Sequence, residues 1–424
     1  MTNAPSMSRI AIASFIGTAI EFYDFYIYGM AASLVIGTVF FPGEDASSQA
    51  LSAFLTFSVA FLTRPLGAIL FGHFGDRIGR KATLVTSLLV MGISTTLIGL
   101  LPSYTQIGVW APILLCVLRF SQGIGLGGEW GGAALLATEN APEGKRGWYG
   151  MFPQLGPPVG FLLATASFLA LTHSLNDQQF IDWGWRLPFL ASSILVLIGL
   201  YVRIALTETP VFSKVLQQQQ RVTLPLKNIL SLHLKPLTLG ALAMVVCYAL
   251  FYIATVFSLS YGTSTLHIPR QQFLGMLCIA IVFMAVATPI SAWASDRYGR
   301  KRVLLSASSL ALLSGFILEP MFNSHSPLLL TVFLSLELFL MGATFAPMGA
   351  LLPELFPSEL RYTGAGTTYN LGGILGASFA PYIAQRLVTE GGLAWVGGYV
   401  SLAAAISFCA VLMMQETRDK AWVN

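Results

Sequence analysis

Five ionisable side chains lie inside long apolar runs of this chain: Glu21, Asp24, Arg64, Arg119 and Glu129, all in its first half. A charge within a hydrocarbon layer costs about 2.5 to 3.5 kcal/mol on insertion scales, so such residues face a bundle interior or a hydrated cavity. Two kinds of chemistry are open to them. A carboxylate facing an arginine can take up a proton, which breaks the pair and removes a net charge that opposes movement. A planar guanidinium can hold an incoming carboxylate by two hydrogen bonds.

Depth decides which residues can meet. At about 1.5 Å of rise per helical residue, Asp24 lies ~21 Å and Glu21 ~16 Å past Ile10, where their run begins. Arg64 lies ~18 Å from the turn at Asp76, and Arg119 ~16 Å from the start of its own run. Two acids and two arginines therefore share one level near the midplane. Glu129, ~15 Å further along, belongs to another layer.

Asp24 with Arg119 is the expected proton-coupling pair, with Glu21 and Glu129 as further acids, and a purely structural buried pair as the alternative. Arg64 is then left to Glu21 or to an incoming anion. Tyr23, Tyr26, Gln122 and Gln154 supply further donors from the first half, and Tyr248, Tyr252, Tyr369 and Asn370 from the second. Each is as able to pack helices as to touch a ligand. Glu337 is a lone acid in the second half, either a core acid or a second proton site.

The elements that hold these residues follow from composition. Over 424 residues, 55% are hydrophobic and only 10% charged, with a mean hydropathy of +0.71. A soluble domain carries about 25% charged residues. The chain therefore reads as an all-α polytopic membrane protein, with no soluble catalytic domain left over once the spans are removed. Apolar runs long enough to cross a bilayer fall at 10–40, 50–72, 82–101, 108–137, 147–172 and 187–206, then at 236–262, 272–294, 303–322, 327–352, 363–388 and 395–414. Twelve spans result: a six-helix bundle over 1–206, a polar linker over 207–235, and a second six-helix bundle over 236–424.

With the N-terminus inside, eighteen of the 23 lysines and arginines fall on the cytoplasmic side and three, Arg186, Arg270 and Arg386, outside. The positive-inside rule then puts both termini in the cytoplasm. The net charge of +4 reflects those loops, so the partners are the lipid bilayer, a small solute and protons, not nucleic acid. Cys116, Cys247, Cys278 and Cys409 lie inside apolar runs without metal-type spacing. No metal or organic cofactor is expected, the proton being the coupling ion.

The chain also repeats itself. Asp76-Arg77-x-Gly79-Arg80-Lys81 returns as Asp296-Arg297-x-Gly299-Arg300-Lys301, 220 residues on. Glu139-x-x-Pro142-x-x-x-Arg146 returns as Glu354-x-x-Pro357-x-x-x-Arg361, and Glu-Thr follows both the sixth and the twelfth span. One order of signatures at half-chain spacing indicates a duplication.

Both Asp-Arg-x-Gly-Arg-Lys turns resemble the loop motif of the major facilitator superfamily, whose halves are parallel repeats. More narrowly, Glu21-Phe-Tyr-Asp24-Phe, Arg64-Pro-Leu-Gly67, Arg119-Phe-Ser-Gln122-Gly and Gly127-Gly-Glu129-Trp resemble the metabolite:proton symporters, which include carriers of 2-oxoglutarate, citrate, shikimate and proline or betaine. The resemblance implies the major facilitator fold and secondary active transport by a monomer in the bacterial inner membrane. The expected substrate is a small organic acid, or alternatively a zwitterion; a multidrug antiporter of the same fold is a further alternative, and an enzyme the weakest reading. The resemblance also implies a cytoplasmic gate made by Asp76, Arg77, Arg80, Glu139, Arg146, Asp296, Arg300, Glu354 and Arg361. Gly123, Gly125, Gly127 and Gly128 are expected to let the fourth span pack closely.

Overall fold

In hydrocarbon every backbone N–H and C=O must be satisfied within its own segment, which leaves an apolar run little choice but a helix. A computed structural model describes residues 7–43, 45–78, 80–139, 141–205, 225–357 and 360–419, with side chains except at 7–11, 13, 72–84, 136, 202–205 and 225–228. Among the described residues the regular structure is helical throughout.

In the first half, span 1 is Met7–Ala31, continued by a π turn at Ala32–Ile36 and by Gly37–Phe40. Span 2 is Ala46–Ile78, span 3 Arg80–Leu100, and span 4 Trp110–Gly127 with Trp130–Glu139. Span 5 is Arg146–Gln154 with Gly156–Ser174, and span 6 is Leu187–Ala205. In the second half, span 7 is Leu234–Tyr252 with a π turn at Ile253–Phe257 and then Ser258–Ser264. Spans 8 and 9 are Arg270–Tyr298 and Arg300–Phe322, and span 10 is Pro327–Phe345 with Met348–Glu354. Span 11 is Arg361–Gly373, a π turn at Ile374–Ser378, and Ala380–Gly391; span 12 is Leu393–Met413.

Ten of these helical stretches are long and apolar enough to cross a membrane on length and composition alone. Span 3, apolar over Val85–Leu100, and the glycine-rich span 11 complete the twelve expected runs. The expected linker at 207–235 falls largely outside the described residues; its described part carries the helix Pro225–Leu232.

The packing repeats as the sequence does. Span 1 leans on span 5, span 2 on span 4 and span 3 on spans 4 and 6; likewise span 7 leans on span 11, span 8 on span 10 and span 9 on spans 10 and 12. The halves meet where span 5 packs on span 8 and span 2 on span 11. Spans 7 and 1 are the most enclosed, 94% and 83% buried over their apolar windows against 61% or less for the others, so they line the axis between the halves. Outward rows such as Leu62, Leu66 and Ile69, or Ile279, Val282, Val286 and Ile290, present an apolar face suited to lipid.

Lipid tails are as apolar as leucine, so close backbone approach takes over from hydrophobic burial in holding spans together. A Cβ on Gly123 or Gly127 of span 4 would collide with the Ala60 or Arg64 carbonyl of span 2. Gly342 of span 10 meets the Met284 carbonyl of span 8 in the same way, at 2.7 Å from where its Cβ would stand.

Sequence reading did not anticipate that six spans are interrupted, and at matching places. The π turns begin at Ala32 and Ile253, spans 4 and 10 break at Gly128 and Ala346, and span 5 breaks at Leu155 opposite the π turn of span 11 at Ile374. These pairs are 218 to 221 residues apart, the spacing of the repeated turns. Proline at 157, 158 and 347 removes backbone donors at two of the breaks. Irregular backbone at membrane depth is tolerated where it is buried in protein or lines a cavity, and the π turn of span 7 and the break of span 10 at Ala346 are fully enclosed.

Candidate functional site

Glu21, Asp24, Arg64 and Arg119, expected at one level, are all buried, as is Glu129 from its separate layer, at 5% exposure or less. Phe25 sits between the two arginines, its ring centroid 4.5 Å from the Arg64 guanidinium carbon and 5.4 Å from that of Arg119. Arg64 also stacks on Phe61 at 4.3 Å and Arg119 on Tyr28 at 3.8 Å. Aromatic faces attract cations most strongly where water is excluded, so rings stabilise both guanidiniums at this depth.

The expected Asp24–Arg119 pair is not formed, and this corrects the sequence reading. Arg119 donates to the carbonyls of Phe57 at 3.0 Å and Thr56 at 3.4 Å, and closely to the Gln122 amide oxygen. Gln122 in turn donates to the Asp24 carbonyl at 3.2 Å and to Thr95 Oγ1 at 2.9 Å. Span 2 thus satisfies Arg119 with backbone oxygens that no side-chain pattern reveals. Both carboxylate oxygens of Asp24 have no hydrogen-bond partner, nor does the Ser192 hydroxyl that lies beside them. A buried polar group without a partner costs several kcal/mol and calls for an explanation.

Arg64 looks into the gap between the halves. Its Nε has no hydrogen-bond partner, and the hydroxyls of Tyr248 and Tyr369 have none either. Tyr26, Tyr248, Tyr252 and Tyr369 all feel its charge. A void of about 20 Å³ is lined by Thr18, Glu21, Phe22, Arg64, Leu126, Trp130 and Tyr369. That is room for about one water, so a metabolite enters only if the halves part.

Other expected donors are engaged elsewhere. Tyr23 donates to the Pro188 carbonyl of span 6 at 3.2 Å, away from the void. Gln154 accepts from Trp130 Nε1 at 3.0 Å and donates to the Phe345 carbonyl at 2.9 Å, tying the broken part of span 4 to that of span 10. Asn370 donates to the Gly127 carbonyl at 3.0 Å. These two bridge the halves in this conformation. Trp130, stacked on Tyr369 at 4.0 Å and 5°, was missed although Glu129-Trp130 stood in the resemblance motif. Glu129 is buried at the break in span 4, and Glu337 is buried in span 10 with both oxygens unpartnered.

The end bearing the 296–301 turn is closed by buried charge. Asp296 accepts from the backbone N–H of Gly147 and of Trp148, both at 2.8 Å, in the first turn of span 5 across the gap. Carboxylates suit that position because the first-turn N–H groups lack helical partners. The same carboxylate takes Arg300 at 2.6 Å, and Arg300 reaches Glu354 at 3.3 Å. Arg146 approaches Glu354 at 3.8 Å and Arg361 approaches Glu139 at 3.7 Å, both across the halves. A Cβ on Gly147 would stand 2.7 Å from Asp296 Oδ1 and from Ser295 Oγ, so this approach requires glycine. The side chains of Asp76, Arg77 and Arg80, the other half of the expected gate, lie outside those described.

The opposite end is closed as well. Arg270 bridges to Asp177 at 2.9 Å, Gln271 meets His173 Nδ1 at 2.8 Å, and Ser33 donates to the Val256 carbonyl at 2.9 Å. Among the described residues no group of three or more His, Cys, Asp or Glu side chains could hold a metal ion.

Comparison with known proteins agrees with this arrangement. Residues 10–223 match the family model described as sugar (and other) transporter, and residues 263–424 match that of the Major Facilitator Superfamily. The chain is 51% identical over 420 residues to the inner membrane metabolite transport protein YhjE of Escherichia coli, covering 98% of this chain and 96% of that one. It is 38% identical to the shikimate transporter of Escherichia coli, covering 97% and 95%. The fold is that of the proton:xylose symporter XylE bound to 6-bromo-6-deoxy-D-glucose, with a TM-score of 0.76 at 18% identity over 98% of this chain and 97% of that one. Two matching sets of spans, a closure built on the 296–301 turn and full-length relatives together show that this chain belongs to the major facilitator superfamily and is a membrane transporter, not an enzyme.

Proposed function

We propose that the chain is a proton-coupled symporter that takes up a small carboxylate-bearing metabolite by alternating access. It acts as a monomer in the bacterial inner membrane with both termini in the cytoplasm. The observation that carries this reading is that one enclosed layer holds both an Asp24 carboxyl without an ion-pair partner, the Ser192 hydroxyl beside it, and an Arg64 Nε with no acceptor. Asp24 takes up the proton, and Arg64 anchors the substrate carboxylate with the Tyr248 and Tyr369 hydroxyls beside it. Arg119, satisfied by carbonyls and Gln122, holds span 4 against span 2 and leaves Asp24 free to titrate.

Loading and release then require the two ends to open in turn. At one end Asp296 and Glu354 part from the start of span 5 and Arg146; at the other, Arg270 parts from Asp177. Charged pairs suit such gates because their bonds form in one state and hydrate in the other.

Glu21 stands on the same void as Arg64, which supports a second reading, a zwitterion held by both residues. Reconstituted protein with an inward proton gradient tests these assignments, with shikimate and glycine betaine as first probes within a screen of carboxylates and betaines. Asp24→Asn is expected to keep substrate exchange and lose gradient-driven accumulation; accumulation at the wild-type rate would remove Asp24 from the mechanism. Arg64→Lys keeps charge but loses the planar fork, and apparent affinity is expected to fall by about tenfold or more. Glu21→Gln spares an anion and impairs a zwitterion.

A further inference from the structure

Apart from the transport layer, the molecule has a cavity of about 390 Å³ at the membrane face beside the 296–301 turn, lined by Tyr298, Gly299, Lys301, Arg302, Leu305, Glu416 and Arg418. Three cations face one acid there. That acid is already engaged, since Glu416 accepts from the backbone N–H groups of Arg300, Lys301 and Arg418 at 3.0 Å each. It caps the start of span 9 and consumes the charge of that helix end.

The cations differ in what they have left to give. Arg418 is held by Asp419 and by the Arg297 carbonyl. Lys301 donates to the carbonyls of Leu412 and Met414 at the end of span 12, which leaves one of its three N–H groups. Arg302 is exposed, and its side chain makes no hydrogen bond or ion pair among the described residues.

The surroundings are those of a bilayer interface. Arg297 lies over Trp293 at 5.4 Å and Tyr298 at 5.6 Å, and both rings are about half exposed. Aromatic side chains with a polar edge collect at headgroup depth. From Arg302 the exposed face of span 9 runs on through the apolar side chains of Leu310, Leu313 and Phe316.

We propose that this cavity binds the phosphodiester headgroup of an acidic phospholipid, with Arg302 and the remaining Lys301 N–H on the phosphate and an acyl chain along span 9. Free inorganic phosphate shares the headgroup's charge but not its chain, so the two sources separate by experiment. Because Lys301 follows Arg300, the lipid sits one residue from the charges that close this end. The inference is independent of the transported substrate.

The test uses the full-length protein in detergent, titrated separately with dioleoylphosphatidylglycerol, dioleoylphosphatidylcholine and inorganic phosphate. Bound lipid is counted by native mass spectrometry and the unfolding midpoint is followed in parallel. One phosphatidylglycerol is expected to bind about tenfold or more tightly than phosphatidylcholine and to raise the midpoint, while millimolar phosphate does neither. Arg302→Gln is expected to weaken phosphatidylglycerol about fivefold, the effect of one cation at a lipid surface, and Arg302→Glu more. Arg386→Gln, at the opposite end, should change nothing. Equal binding of the two lipids, an Arg302→Gln protein that binds like wild type, or stabilisation by phosphate to the same extent would each overturn the proposal.

Discussion

The two ends of the molecule are closed by different physics. At the end bearing the 296–301 turn Glu354 is 0%, Arg300 2%, Asp296 11% and Arg146 16% exposed, and in the remaining pair Arg361 is 7% and Glu139 33% exposed. At the opposite end Arg270 is 23% and Asp177 89% exposed. Exposed pairs contribute about 0 to 1 kcal/mol, whereas removing one partner of a buried pair costs about 3 to 5 kcal/mol because the other charge is stranded. The buried closure is therefore the harder one to break, and the exposed Arg270–Asp177 pair a weak latch.

Breaking the buried closure should have the largest effect. Glu354→Ala removes a buried partner of Arg300 and Arg146 and is expected to shift the conformational balance by about 3 to 5 kcal/mol. A cysteine at Ala350, buried behind the gate, should then alkylate more than a hundredfold faster in a background lacking the native cysteines. An unchanged rate would show that the charge cluster does not hold this end.

Gly147→Ala attacks the same closure through sterics. Its Cβ would stand 2.7 Å from Asp296 Oδ1 and 2.8 Å from Arg300 Nη1, and overpacking of this kind costs about 1 to 3 kcal/mol. The Ala350 probe should register an intermediate acceleration. If Gly147→Ala matched wild type, the approach of Asp296 to span 5 would not be the tight contact described.

The smallest effect is expected at the exposed Arg270–Asp177 pair. Arg270→Gln should change the alkylation of a cysteine at Val256 by no more than the ~0.2 to 1 kcal/mol of a surface pair. The wild-type rate at that probe should rise with salt, while the Ala350 probe should not respond. An Arg270→Gln effect as large as that of Glu354→Ala would erase the asymmetry between the ends.

Much of this was legible in the chain before any coordinates. The repeat of Asp76 to Lys81 at Asp296 to Lys301 foretold two equivalent bundles, because a duplicated turn between apolar runs comes with a duplicated fold. The common depth of Asp24, Arg64 and Arg119 followed from helical rise alone. The glycines of span 4 announced its contact with span 2, since a missing Cβ in an apolar helix is most useful where backbones touch.

Partner choice was not legible. Arg119 was matched to Asp24 on charge, yet its donors end on the carbonyls of Thr56 and Phe57 and on Gln122. The interruptions of spans 1, 4, 5, 7, 10 and 11, the stacking of Trp130 on Tyr369 and the Asp177–Arg270 latch were equally hidden. The sequence by itself determined how many apolar helices there are, that they come in two copies, and which charges share a level, because periodicity, rise per residue and the cost of a charge in hydrocarbon are local properties. Only the tertiary structure decided which of those charges meet, because backbone carbonyls and aromatic faces compete with carboxylates for a guanidinium, and which competitor wins depends on ångström-scale contacts between helices distant in the chain.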